Sequence, residues 1–248
     1  MKRLLAGAFC LCLLLSGCAP SGSSPTEPSI ELHLELSTVT NIVTDSNGTE
    51  VLTLTYPELK LSRCDDAVAN RIMDDLKGRI ADYRSDGAEL EAAARAAAAD
   101  QENFIPWFAK LEGTVMRQDE TVLSIFFTYS VYCGGNHSNT DTFSVTYDAK
   151  NGNILQLTDI LKNDRSVKEL AVEVNRVLAP SANDLFDDYE SLIGQQFASD
   201  SIDNWYLTET ALCFHYAPYA ISPYASGIIT AEIPYAELED FLTSNYWL

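Results

Sequence analysis

With 36 Asp and Glu against 16 Lys and Arg, this 248-residue chain carries a formal charge of −20 and has room for one large domain or two small ones. Such acidity excludes nucleic acid as a partner and argues against electrostatic binding to anionic lipid, since both present phosphates that need cations. It suits a basic protein partner; the plainer alternative is an acidic surface kept only for solubility.

Lys2 and Arg3 precede an apolar run from Leu4 to Leu15, followed by Ser16-Gly17-Cys18. A charged start, a short apolar stretch and small residues make residues 1–17 a signal peptide, too short for a transmembrane helix of about 20 residues. Leu15-Ser16-Gly17-Cys18 is a bacterial lipoprotein box, so lipidation of Cys18 is expected, with ordinary secretion as the alternative. Residues 18–29 comprise that cysteine and a flexible tether rich in Ser and Pro. The predicted address is the cell membrane, lipid-anchored on its extracytoplasmic face. Loss of Lys2 and Arg3 takes the formal charge from −20 to −22.

Beyond Cys18, only Cys64, Cys133 and Cys213 remain after cleavage. That permits one disulfide and a spare thiol, or three free thiols. Cys133 and Cys213 fall at or near strand ends that one sheet could bring together, which makes them the candidate disulfide. No Cys-x-x-Cys pair supports a zinc or redox site, and no cofactor is expected.

Alternating apolar residues from Ile30 predict a strand to Val43. Asp45-Ser46-Asn47-Gly48 turns the chain, and Val51–Tyr56 returns as a second strand that Pro57 ends. Helical spacing follows over Cys64–Tyr83, with Val68, Ile72, Leu76 and Ile80 on one stripe. The alanine-rich run Ala88–Ala99 predicts a second helix, packed closely or exposed as a spacer. Strands are predicted at Leu111–Arg117, Thr121–Tyr132 and Thr142–Tyr147, with turns at Cys133–Ser138 and Asn151-Gly152. Ser166 and Glu169 form a capping box for a helix whose face is Leu170, Val174 and Leu178. Asp184–Phe197 is predicted helical. A hairpin from Trp205 to Tyr216, a strand at Gly227–Ile233 and a closing helix from Tyr235 to Leu242 complete the chain. The fold class is α+β: an antiparallel sheet of meanders and hairpins packed with a few helices, preceded by a small ββα subdomain. The expected division is an N-terminal α+β domain at residues 30–110 and a C-terminal one at 111–248.

Candidate chemistry is sparse. His137, in Cys133-Gly134-Gly135-Asn136-His137, is the sharpest, because two glycines allow unusual backbone angles and histidine serves as base, ligand or anchor. The bland alternative is a hairpin turn in which His137 bonds a neighbouring carbonyl. His33 sits on the polar face of the first strand, and His215 reads as a half-buried packing residue. Tyr219 and Tyr224, in a loop stiffened by Pro218 and Pro223, are either a core plug or a recognition surface. The candidate ligand-binding set is therefore Gly134, Gly135, His137, Tyr219 and Tyr224. Hydrolase, phosphate-loop and calcium-loop motifs are absent, and no catalytic or metal residue is assigned.

The runs Phe127–Ser138, Tyr147–Leu161, Trp205–Phe214 and Ala211–Tyr235, in that order, resemble one domain type. It is the extracytoplasmic domain of RsiV-type anti-sigma factors, also found beside PdaC-type peptidoglycan deacetylase domains and catalogued as a domain of unknown function. The preceding segment, with Tyr56-Pro57-Glu58-Leu59 and Ala69-Asn70-Arg71-Ile72, resembles its usual companion domain. The resemblance implies an α+β fold and a non-catalytic role at the cell surface, where the RsiV-type domain binds the basic enzyme lysozyme. The chain departs from that plan in showing no apolar segment of transmembrane length after the leader, and in carrying Cys133 and Asn136 in the turn. The expected partners are a lysozyme-like basic protein or peptidoglycan, besides the membrane through the lipid. The alternative is a cell-envelope enzyme acting on peptidoglycan with His137 as acid/base.

Overall fold

The structure, a computed structural model, describes residues 32–162, 165–198, 202–243 and 245–246; the expected leader, tether and Cys18 lie outside them. Two strands, β1 (His33–Thr44) and β2 (Glu50–Ser62), form the opening hairpin, and Asp45 accepts the N–H groups of Asn47 and Thr49 in its turn. β2 continues through Pro57 instead of ending there. Beyond Thr55 it has no partner on the β3 side, and an unpaired edge tolerates a residue without an N–H.

The two expected helices are one, α1 (Asp66–Asp100), running straight through Ser85-Asp86-Gly87. Gly87 is buried against Leu54, where an added Cβ would lie 3.1 Å from Cδ2, so tertiary packing overrides its poor helix propensity. At 1.5 Å per residue, α1 spans about 52 Å and returns the chain to the end of the sheet where β2 began. β3 (Trp107–Gln118) therefore pairs parallel to β2 through Leu52–Thr55, so the sheet is not wholly antiparallel. β4 (Val122–Tyr132) and β5 (Asn139–Asp148) complete a five-stranded sheet ordered β1-β2-β3-β4-β5. The division expected between residues 110 and 111 falls inside β3.

Alternation decides the faces. Leu123, Ile125 and Phe127 of β4, with Val145 and Tyr147 of β5, meet Val68, Ile72, Leu76 and Ile80 of α1 in one buried cluster. Tyr147 extends this layer by donating to Asp75, which also pairs with Arg79. The opposite face receives a three-stranded antiparallel sheet, β6 (Trp205–Leu207), β7 (Ala211–Tyr216) and β8 (Ile229–Pro234). Its outer side packs on α3 (Val167–Leu178) and α4 (Tyr189–Gln196), with α2 (Leu157–Ile160) alongside. The layers run helix, sheet, sheet, helix.

The capping box at Ser166 and Glu169 forms as expected, and Leu170, Val174 and Leu178 are buried. The helix expected from Asp184 is shorter, beginning at Tyr189 after a 3-10 turn at Ala179–Asp184. The closing helix is only a 3-10 turn, Tyr235–Glu237. Tyr235 instead serves the interior: its hydroxyl donates to the Thr208 carbonyl and receives a bond from buried Arg117. Arg117 also pairs with Asp119 at 2.6 Å. Burial opposes ionisation of Asp119, but bonds from Thr121, Val122 and Arg117 prevail and hold its carboxyl below the ordinary range.

The contact between the sheets is small and polar. Met116 and Phe126 of the large sheet face Tyr206, Ala211 and Cys213. Around them Ser124 Oγ accepts the Leu207 N–H at 3.0 Å, and Ser144 Oγ lies 2.6 Å from the Trp205 carbonyl and 2.9 Å from His215 Nε2. His215 is fully buried, more so than its sequence position suggested, and its Nδ1 lies 2.9 Å from Thr142 Oγ1. If Ser144 donates to the carbonyl, Nε2–H donates to Ser144 and Nδ1 accepts from Thr142; the bonding pattern assigns this neutral tautomer.

Burial pushes the His215 pKa down from 6.5 to about 4. The unfolded chain binds a proton near pH 6.5 that the folded chain refuses until about pH 4, so stability falls as pH drops through that window. The loss from this group reaches on the order of 3 kcal/mol. Urea denaturation of His215→Gln should show a flatter pH dependence between 6.5 and 4 than the wild type, whatever its absolute stability; parallel curves would contradict the assignment.

Candidate functional site

The structure brings together the residues expected to form a binding set. The hairpin between β4 and β5 places Gly134 and Gly135 at φ +97°, a region that side chains disfavour. The second contributor is the loop from Ala217 to Gly227, which follows β7. The docking of β7 on β5 carries this loop to the hairpin, where Tyr224 and Ser138, 86 residues apart, meet hydroxyl to hydroxyl at 3.2 Å.

The His137 ring stacks on Tyr224, with centroids 3.9 Å apart and an interplanar angle of 23°. Tyr219 lies 5.7 Å from Tyr224 and 6.4 Å from His137, ring to ring. His137 Nδ1 donates to the Ser138 carbonyl at 2.9 Å. The bland expectation of a carbonyl bond is thus met, and the stacking is additional. No carboxylate bonds to His137 among the described residues. Nor do three or more His, Cys, Asp or Glu side chains converge there as a metal site.

Tyr219 is the informative residue. It is 58% exposed, and its φ of +71° is one that a non-glycine residue adopts at a cost of about 1–2 kcal/mol. Its N–H donates to the Ser222 carbonyl at 3.0 Å, so the loop's own turn fixes this conformation. Strain that presents a large aromatic to solvent points to function more than to packing. The two expectations for the loop divide along its length: Tyr216 and Ile221 are buried as a plug, whereas Tyr219 and half-buried Tyr224 form a surface.

Sequence reasoning missed the neighbours. Tyr132 donates to the Gly135 carbonyl at 3.3 Å and stacks on Phe108. A Cβ on Gly134 would lie 3.9 Å from Trp107 Nε1. The signal was present in Phe104-Ile105-Pro106-Trp107-Phe108, an aromatic run leading into β3. Sizeable cavities open elsewhere, beneath α1 and along β2, so these rings form a surface suited to a macromolecule.

The candidate disulfide does not form: Cys64, Cys133 and Cys213 are all free. Cys213 packs beside Phe126, seven residues along β4 from Cys133, or about 23 Å, whereas a bridge needs Cα atoms within about 7 Å. Cys213 is buried, and its thiol is pushed up to about 12 by that burial and by nearby Glu232. Cys133 is exposed. Alkylation of the native protein should therefore modify Cys133 first and leave Cys213 untouched until denaturation. Early labelling of Cys213, or a non-reducing peptide joining the two, would contradict this.

Comparison with known proteins resolves the chain into two segments of defined type. Residues 42–140 match the family model described as deacetylase PdaC, and residues 154–236 match the model for a protein of unknown function, DUF3298. The two matches lie in that order, the first within the large sheet and its α1, the second within the small sheet and its helices. A DUF3298 family member from Bacteroides fragilis NCTC 9343 superposes with a TM-score of 0.59 at 20% identity, covering 86% of this chain and 94% of that one. A DUF3298 family protein from Pseudomonas aeruginosa PAO1 gives 0.54 at 18% identity, covering 87% and 96%. Both share the α+β fold. No functionally curated protein matches the chain.

Proposed function

We propose that this chain is a non-catalytic binding module, anchored by lipid at Cys18 on the extracytoplasmic face of the cell membrane, that captures a basic protein of the lysozyme kind. The observation that carries the reading is the His137–Tyr224–Tyr219 cluster, exposed on stiff turns in a chain of charge −20. Tyrosine supplies large contact area at low entropic cost, and long-range charge raises the association rate. The lipoprotein box and the resemblance to the RsiV-type extracytoplasmic domain support the address and the kind of partner. No helix among the described residues is long and apolar enough to cross a membrane, so signalling by the RsiV route is not part of the proposal.

Surface plasmon resonance against hen lysozyme, with pelleting on purified peptidoglycan beside it, tests the reading. Binding to lysozyme should weaken about tenfold or more between 50 and 200 mM salt, roughly the range over which exposed charges become screened. Tyr219→Gly should abolish binding and leave unfolding free energy unchanged or raised by up to about 1 kcal/mol, because glycine accepts the positive φ. Salt-insensitive binding, full binding by Tyr219→Gly, or retention by peptidoglycan alone would overturn the basic-protein reading.

A further inference from the structure

The apolar stripe of α1 is interrupted. Val68, Ile72, Leu76 and Ile80 feed one buried cluster, and Leu90, Ala94 and Ala98 feed another around Val51 and Leu52. Between them, at the same helical spacing, the chain places Tyr83, Arg84 and Gly87, with Glu91 following Leu90. Gly87 packs against Leu54, whereas Arg84 is exposed and Glu91 half-buried, so polar side chains take over the stripe where it crosses β2.

The interruption opens a crevice of about 150 Å³ between α1 and strands β1 to β4. Its polar and aromatic lining is Asn41, Tyr56, Tyr83, Arg84, Glu91 and Tyr129. A cavity of this size holds one six-membered ring. Tyr83 and Tyr129 meet at 4.5 Å between ring centroids, and Phe143 stacks behind Tyr83 at 5.2 Å, so both rings are fixed. No hydrogen bond to either hydroxyl is made by the described residues. Tyr56 is held from two sides: Asn41 donates to its hydroxyl at 3.0 Å, and the Arg84 guanidinium lies 4.4 Å from its ring centre. Arg84 forms no ion pair with any described residue, although the chain holds 36 acidic groups. Its fork of donors is stacked and oriented, with no acceptor taken among the described residues.

Charge narrows the ligand. Arg84 is positive, Glu91 is already paired with Arg95 at 2.9 Å, and Asp86 and Asp141 lie close enough to add to burial in pushing the Tyr129 and Tyr83 hydroxyls up. Both signs are present, so neither a simple anion nor a simple cation is favoured. Tyrosine walls with guanidinium, amide and phenol groups around them match a ring that has apolar faces and a hydroxylated rim. We propose that this crevice binds a single uncharged sugar ring. The proposal does not rest on the aromatic turn site, which the β4–β5 hairpin and the loop after β7 form from other residues.

Nuclear magnetic resonance titration of the full protein with methyl β-D-glucopyranoside tests it, with benzene and benzoate as comparison probes. The glucoside should shift the Tyr83 and Tyr129 ring signals in a saturable way, with a Kd of about 1 mM for so small a ligand. Arg84→Gln and Tyr129→Phe should each weaken it about tenfold, the second keeping the ring and losing only the hydroxyl. No saturable shift up to about 100 mM, unchanged affinity in both variants, or tighter binding of benzene or benzoate at the same rings would overturn the proposal.

Discussion

The junction of Ser144 and Thr142 with His215 is the constraint on which the rest of the structure depends. The two sheets share only a small apolar contact, and apolar contact alone has little directional preference. Hydrogen bonds do: a hydroxyl between a carbonyl and an imidazole nitrogen, with a second hydroxyl on the other nitrogen, fits one register of β7 on β5. Ser124, bonded to the Leu207 N–H, fixes the neighbouring strand β6 in the same way. Burial makes each of these bonds costly to break, because a desolvated hydroxyl or imidazole left without a partner loses its bonds to water as well.

From that register follows the position of everything the DUF3298 segment adds. β7 leads directly into the loop that carries Tyr219 and Tyr224, so fixing His215 places the loop against the hairpin of the preceding segment. The aromatic surface is composite: Gly134, Gly135 and His137 come from one family segment, Tyr219 and Tyr224 from the other. The crevice under α1 is built within the first segment, on the face of the large sheet turned away from β6–β8. One chain thus presents a broad aromatic surface and a ring-sized recess.

Much of this was legible in the chain. Alternation and turn residues located nearly every strand, and Ser166 with Glu169 announced α3 correctly, because local hydrogen bonds and side-chain periodicity decide those features. The residues that meet at the turn were conspicuous as well, since Gly134-Gly135 and the proline-bracketed tyrosines stand out without any structure. What failed was tertiary. Two helices were expected at Cys64–Tyr83 and Ala88–Ala99, yet one runs through Gly87, which packs against Leu54. Pro57 looked like a strand end, yet the strand had a free edge there. Tyr235 looked like the start of a helix, yet its hydroxyl was required by Thr208 and Arg117. Cys133 and Cys213 looked like neighbours because both lie near strand ends, and only the stacking of two separate sheets reveals the distance between them. The positive φ of Tyr219 had no local signature at all.

The central claim is that sheet docking assembles the exposed aromatic cluster from two segments of the chain. It is tested most directly by a nuclear Overhauser measurement between the ring protons of His137 and Tyr224 in the free protein. Rings whose centroids lie 3.9 Å apart should give a strong cross-peak, accompanied by one between His215 and Phe126 across the sheets at 4.9 Å. A His215–Phe126 cross-peak without any between His137 and Tyr224 would contradict the account, since the sheets would then be docked and the site unassembled.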